Sequence, residues 1–136
     1  MPLLSKEQFP LQMTGFDALY GLEILSLGDD EATAKARVRD GIRQPAGLVH
    51  GGVFASIAES LTAFATSMAV REDGRGAQGL SSQTSFLRPI FAGTIHARAR
   101  RRHRGRTTWV WEVDLIDDTG RLCALARVTV AAGEPG

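Results

Sequence analysis

Between His50 and Arg71 the chain carries one ionisable side chain, Glu59, in a run otherwise made of small, hydroxylated and apolar residues. A carboxylate in such surroundings costs free energy unless it is paired or used. The uses open to it are those of a nucleophile or a general base. His50-Gly51-Gly52 stands where the same run begins. The first N–H groups of a helix lack internal partners and carry partial positive charge, and glycine lets a ligand approach them closely. An oxygen gaining negative charge, as when a carbonyl becomes tetrahedral, is stabilised at such a place. The plainer readings are a tight loop-to-helix entry for the glycines and a structural carboxylate bonded to Ser or Thr neighbours for Glu59.

Spacing separates the two groups. Gly51 and Glu59 are eight residues apart, about 12 Å along a helix axis. One carbonyl cannot touch both in the same chain. If both act on it, two helices must run antiparallel across a two-fold axis, giving a homodimer with two shared and equivalent sites.

The run itself reads as a helix. Val53, Phe54, Ile57, Leu61, Ala65, Met68 and Ala69 recur at spacings of three and four, and Gly74 is placed to end it. It is long enough to span a bilayer, but Glu59 and the Ser and Thr residues favour a helix wrapped by protein, with no membrane partner. Around it the pattern is strand-like. Tyr20, Leu22 and Ile24 alternate within 18–27, and Gly28-Asp29-Asp30 reads as a turn. Ala32, Ala34, Ala36 and Val38 share one face of a strand over 31–40, as if something bulky lay against it. Further strands are expected over 80–87, 90–102, 107–116 and 122–131, with turns at His103-Arg104-Gly105 and Asp117-Asp118-Thr119-Gly120. Residues 1–15 read as a short arm or helix. The fold class is α+β: an antiparallel sheet with one long helix on it, in a single domain over 1–136.

The chain has 136 residues and a net charge of +1. No secretory leader is read at Met1–Glu7, and one cysteine, Cys123, excludes an internal disulfide; both fit a cytoplasmic protein. Three scattered histidines offer no metal-ligand spacing. Six arginines, Arg98, Arg100, Arg101, Arg102, Arg104 and Arg106, crowd one hairpin and suit phosphate oxygens or simply a solvated face. Aromatic interleaving is missing from that run, so nucleic acid is not the expected partner. Trp109, Trp111 and Cys123 read as core.

The pattern Gln44-…-Gly47-Leu48-Val49-His50-Gly51-Gly52-…-Ala58-Glu59 resembles the hot-dog-fold acyl-CoA thioesterases, and within them the 4-hydroxybenzoyl-CoA thioesterases of the glutamate type. Thr84 to Pro89, Thr107 to Trp111 and Asp117 to Ala124 agree with that family in order and spacing. The resemblance implies a hot-dog fold, the sheet wrapped around one central helix, with dimers paired into a homotetramer and sites at the dimer interface. It implies that Glu59 is the nucleophile or base, and that the Gly51 N–H polarises the thioester carbonyl from the facing subunit. Gln44 would position the thioester or water, and His50 would shape the turn. On the substrate side it implies Gly52, Arg88, Arg106, Thr107 and Thr108 as contacts of the acyl-CoA, with no cofactor, since CoA belongs to the substrate. The family's Thr one turn after the Glu is Ala63 here.

The expected activity is therefore hydrolysis of an aromatic acyl-CoA, first of all 4-hydroxybenzoyl-CoA. The alternatives are a phenylacetyl-type or fatty acyl-CoA thioesterase, a non-enzymatic acyl-CoA-binding protein, and a hydroxyacyl-thioester dehydratase. The last lacks its His-Phe-Pro segment here.

Overall fold

The computed structural model of the chain describes residues 11–133. In order these form β1 (Leu11–Gln12), α1 (Gly15–Leu19), β2 (Leu22–Leu27), β3 (Glu31–Arg37), α2 (Gly51–Val70), β4 (Ala77–Phe86), β5 (Thr94–Arg104), β6 (Thr108–Ile116) and β7 (Leu122–Ala132). All strand pairs are antiparallel, and they make one seven-stranded sheet in the order β1-β2-β3-β5-β6-β7-β4. The sheet curls around α2, which touches every strand from β2 to β7. This is the α+β hot-dog arrangement the resemblance implied.

Alanines make the curl possible. Ala32, Ala34 and Ala36 on β3, Ala97 and Ala99 on β5, and Ala124 and Ala126 on β7 are all buried. The helix fills the space they leave with Phe54, Ile57, Leu61, Ala65 and Met68. Each of the larger side chains contributes roughly 1.5–3 kcal/mol through burial. Trp109 and Trp111 of β6 are buried and stacked, with ring centroids 6.3 Å apart. The Trp111 indole N–H donates to Thr66 Oγ1 of α2 at 3.0 Å, and Thr66 in turn donates to the Thr62 carbonyl. Cys123 is a core residue whose thiol is pushed up by burial.

Three strand expectations need correction, and one on the N-terminal arm is reached only at its end. The strand over 18–27 starts at Leu22, because residues 15–19 coil into α1. Phe16 and Tyr20 meet edge to face at 5.3 Å, Tyr20 donates to Asp17, and Gly21 at φ 82° turns the chain out of the helix. Most of the expected N-terminal arm lies outside the described residues, and its end is strand β1. β4 begins at Ala77 rather than Leu80, since Ala77 to Gly79 pair with the end of β7. β5 begins at Thr94, four residues later than expected, and runs through Arg104, so the turn is Gly105–Thr107.

α2 starts at a defined cap. His50 is its N-cap, and the His50 Nδ1 accepts the Gly52 N–H at 2.9 Å. The His50 N–H donates to the Ile42 carbonyl, which ties the entry loop to the helix.

Thr66→Val keeps the shape of the side chain but orphans the buried Trp111 N–H; urea unfolding is expected to show a loss of about 1–3 kcal/mol. His50→Ala removes the cap and is expected to cost about 1 kcal/mol in the same assay, whereas His50→Asn, which can still accept, loses less.

Candidate active site

Three elements meet at the N-terminus of α2. The loop before it turns through Gly47 at φ 94° and closes with the Gln44 N–H on the Leu48 carbonyl. The segment after β4 lies across from it and is held when Leu87 and Arg88 donate their backbone N–H groups to the Cys123 carbonyl. Between them is a cleft of about 690 Å³, lined by Gln44, Leu48, His50, Gly51, Gly52, Phe54, Phe86 and Arg88 among others.

The backbone donors at this helix end can be counted one by one. The Val53 N–H goes to the His50 carbonyl and the Gly52 N–H to the His50 ring. No group among the described residues accepts the Gly51 N–H. No acid in the first turn of α2 neutralises the positive end of the helix. Gly51 therefore offers one unaccepted, polarised donor at the cleft. Nδ1 of His50 is occupied as an acceptor, so this ring places the donor and does not itself approach from that nitrogen.

Gln44 Oε1 accepts the Ala46 N–H at 3.0 Å, which leaves its NH₂ as a second donor in the cleft without an acceptor among the described residues. Arg88 brings an exposed guanidinium with no acidic partner among those residues. Phe86, which the sequence offered only as part of the Thr84–Pro89 stretch and not as a site residue, stands against Gly51: a Cβ on Gly51 would meet its ring at 2.8 Å.

Glu59 is not in this cleft. It is exposed in the single chain, against the expectation of a buried carboxylate, because it sits on the stripe of α2 that the sheet leaves uncovered. Its neighbours are Gly79 of β4 and a small network on the other side. There Tyr20 and Ser60 both donate to Asp17 Oδ1, at 2.6 and 2.7 Å. Burial, the Asp17 bond and the nearby Glu59 charge push the Tyr20 hydroxyl far above its ordinary range. Ala63 is half-buried, and Thr62 bonds back to the Ala58 carbonyl, so neither places a hydroxyl beside Glu59.

Arg106, Thr107 and Thr108 lie elsewhere again. The Arg106 carbonyl accepts from Arg75 and the Thr107 carbonyl from the Ala132 N–H, which fixes this turn beside the C-terminal end of α2. The cleft that holds Arg88 is not lined by them. The arginine hairpin is partly committed: Arg98 pairs with Glu31, Arg100 with Asp114 at 3.6 Å, and Arg101 and Arg104 lie over the Trp109 ring at 5.2 and 4.6 Å. The structure thus brings together Gln44, His50, Gly51, Gly52 and Arg88, and sets Glu59 and the Arg106–Thr108 turn apart.

Comparison with known proteins agrees with this architecture. Residues 46–124 match the thioesterase superfamily. The proofreading thioesterase EntH of Cronobacter turicensis is 34% identical over 111 residues, covering 82% of this chain and 80% of that protein. The 1,4-dihydroxy-2-naphthoyl-CoA hydrolase of Listeria monocytogenes is 31% identical over 117 residues, covering 86% and 94%. A crystal structure of a thioesterase from Haemophilus influenzae superposes with a TM-score of 0.81 at 32% identity, covering 87% of this chain and 82% of that one. With the family match and these relatives, the chain belongs to the thioesterase superfamily and is a thioester hydrolase.

Proposed function

We propose that the protein hydrolyses aromatic acyl-CoA thioesters, with 4-hydroxybenzoyl-CoA the first substrate to test, in sites shared by two copies of the chain. The observation that carries this is the Gly51 N–H, left without an acceptor beside a cleft walled by Phe54 and Phe86. Flat apolar walls suit a planar acyl group. The naphthoyl-CoA hydrolase among the relatives acts, by its name, on an aromatic thioester.

The chemistry divides between two chains. The Gly51 N–H polarises the thioester carbonyl, with Gln44 beside it. Glu59 of the second copy takes a proton from water as that water attacks, or attacks the carbonyl itself. The tetrahedral oxyanion collapses, the C–S bond breaks, and the CoA thiolate leaves and takes up a proton. In the first route the free acid remains; in the second the acyl group stays on Glu59 as an anhydride, which water hydrolyses to the free acid and the Glu59 carboxylate.

The pairing follows from β4. This strand is an edge of the sheet, ten residues long and without a charge. Leu80 and Phe86 on it are 62% and 59% exposed. Such an edge is a template for another strand. β4 runs antiparallel to α2, with Gly79 against Glu59 and Phe86 against Gly51. A two-fold axis near Ser82 and Gln83 would pair β4 with its copy and set the two α2 helices side by side. Gly51 of one chain would then face Glu59 of the other. Arg88 and the Arg106–Thr108 turn, at opposite ends of α2, would serve one CoA from different copies. Further association into a homotetramer is part of the same reading.

Glu59→Gln is expected to lower kcat for 4-hydroxybenzoyl-CoA by about a hundredfold or more, with little change in KM. An unchanged kcat would remove Glu59 from the mechanism. A panel of aryl and alkyl CoA esters compared by kcat/KM decides the acyl class.

Gly51→Pro deletes the N–H at a helix position that tolerates proline, after a residue already extended at ψ 132°. The exposed Phe86 ring must turn aside for it. It is expected to be at least about a hundredfold slower. Mixed with Glu59→Gln chains it should recover about a quarter of parental activity, since half of the dimers then hold one intact site in two. Failure of each variant to complement the other, with mixed dimers shown to form, would mean that the sites are not shared.

A further inference from the structure

Where β4 passes Glu59 it carries a glycine, Gly79. A Cβ built on Gly79 would lie 3.1 Å from Glu59 Oε1, 3.4 Å from Cγ and 3.7 Å from Cδ. The backbone does not ask for glycine there. Gly79 is absent from the glycines with positive φ, so any residue could adopt its conformation. Glycine inside a strand weakens it and commonly marks a close approach. The approach here is that of the one carboxylate on α2.

The strand is also irregular at this point. Gly79 pairs with Val130 and Ser81 with Thr129, so Leu80 is an extra, unpaired residue. Bulges re-aim a strand locally and recur beside active sites. The bulge and the missing Cβ coincide where Glu59 lies against the sheet.

We infer that Gly79 is a positioning residue for Glu59: its bare Cα reserves the space in which the carboxylate sits. This rests on the reading of Glu59 as the catalytic carboxylate. A methyl group at that place would move the carboxylate away from β4 by a few tenths of an ångström. Displacements approaching half an ångström at a reacting group are enough to slow its chemistry. Within the same chain the cleft lies at the other end of β4, so its lining keeps its contacts.

The test is a kinetic cycle on the full chain with a 4-hydroxybenzoyl-CoA substrate. Gly79→Ala is expected to lower kcat about tenfold with KM within about twofold. In a Glu59→Gln background the same change is expected to do nothing further, because the two act on one group. A parental kcat in Gly79→Ala, or an equal fall with and without Glu59, would overturn the inference. If Gly79→Ala does not fold, Gly79→Ala with Glu59→Ala decides. Recovery of the fold there supports a conflict with the Glu59 side chain, and continued failure shows that the strand itself requires glycine and overturns the inference. Full activity in Glu59→Gln would instead refute the catalytic reading of Glu59. An inactive Glu59→Gln beside a fully active Gly79→Ala refutes the Gly79 role alone.

Discussion

A helix of twenty residues can lie inside a curled sheet only where the strands under it are thin. Here that thinness is supplied by alanines on β3, β5 and β7, buried to the last few per cent of their surface. β6, between two of these strands, carries the opposite: two tryptophans, one of which reaches α2 with a hydrogen bond to Thr66. The alanines set how deep the helix sits. The Trp111–Thr66 bond, directional where packing is not, sets where along its axis it stops. Everything at the N-terminus of α2 depends on that seat.

Because the helix cannot slide, its first turn is held against two fixed loops. The His50 N–H reaches the Ile42 carbonyl and the Val49 N–H reaches the Ile90 carbonyl. His50 then satisfies two of the three leading donors of α2, one with its ring and one with its carbonyl, and the third is left over. The donor left unaccepted at the cleft is thus a backbone group, the Gly51 N–H. A side chain in its place would have rotamers to lose; this donor has none, and it costs no reorganisation when charge develops on an oxygen beside it.

Legibility in the sequence followed the range of the forces involved. α2 and β3 were plain, because Phe54, Ile57 and Leu61 repeat with the helix and Ala32, Ala34 and Ala36 with the strand. α1 was not, since its five residues are too few to show a period and are held by Tyr20 and Asp17 contacts. Gly51 and Gln44 could be singled out from a local motif, and they do share a cleft. The exposure of Glu59 could not, because an uncharged helix reads as wrapped on all sides whether or not one stripe is left open. The placement of Gly79 and Phe86 was hidden for another reason: each meets α2 through residues far away in the chain, Glu59 for Gly79 and Gly51 and Phe54 for Phe86.

That open stripe and the bare edge of β4 belong together. The exposed face of the Glu59 carboxylate is open to water, which must leave before a substrate can reach it. A ten-residue edge without charge or proline, interrupted only by the bulge at Leu80, leaves most of its length open to another strand among the described residues. On the proposed pairing, one event removes both oddities: the second copy saturates the edge, covers Leu80 and Phe86, and takes water from around Glu59 as it brings up its own Gly51. Loss of water strengthens the attraction between the helix end and a developing oxyanion, since the same charges interact through a lower dielectric. The about 12 Å between the two groups on one helix therefore does more than forbid a site within one chain. On that pairing it would make the assembly of the site and its desolvation the same step, and an unpaired chain would hold the hydrogen-bond donor and the carboxylate apart in water.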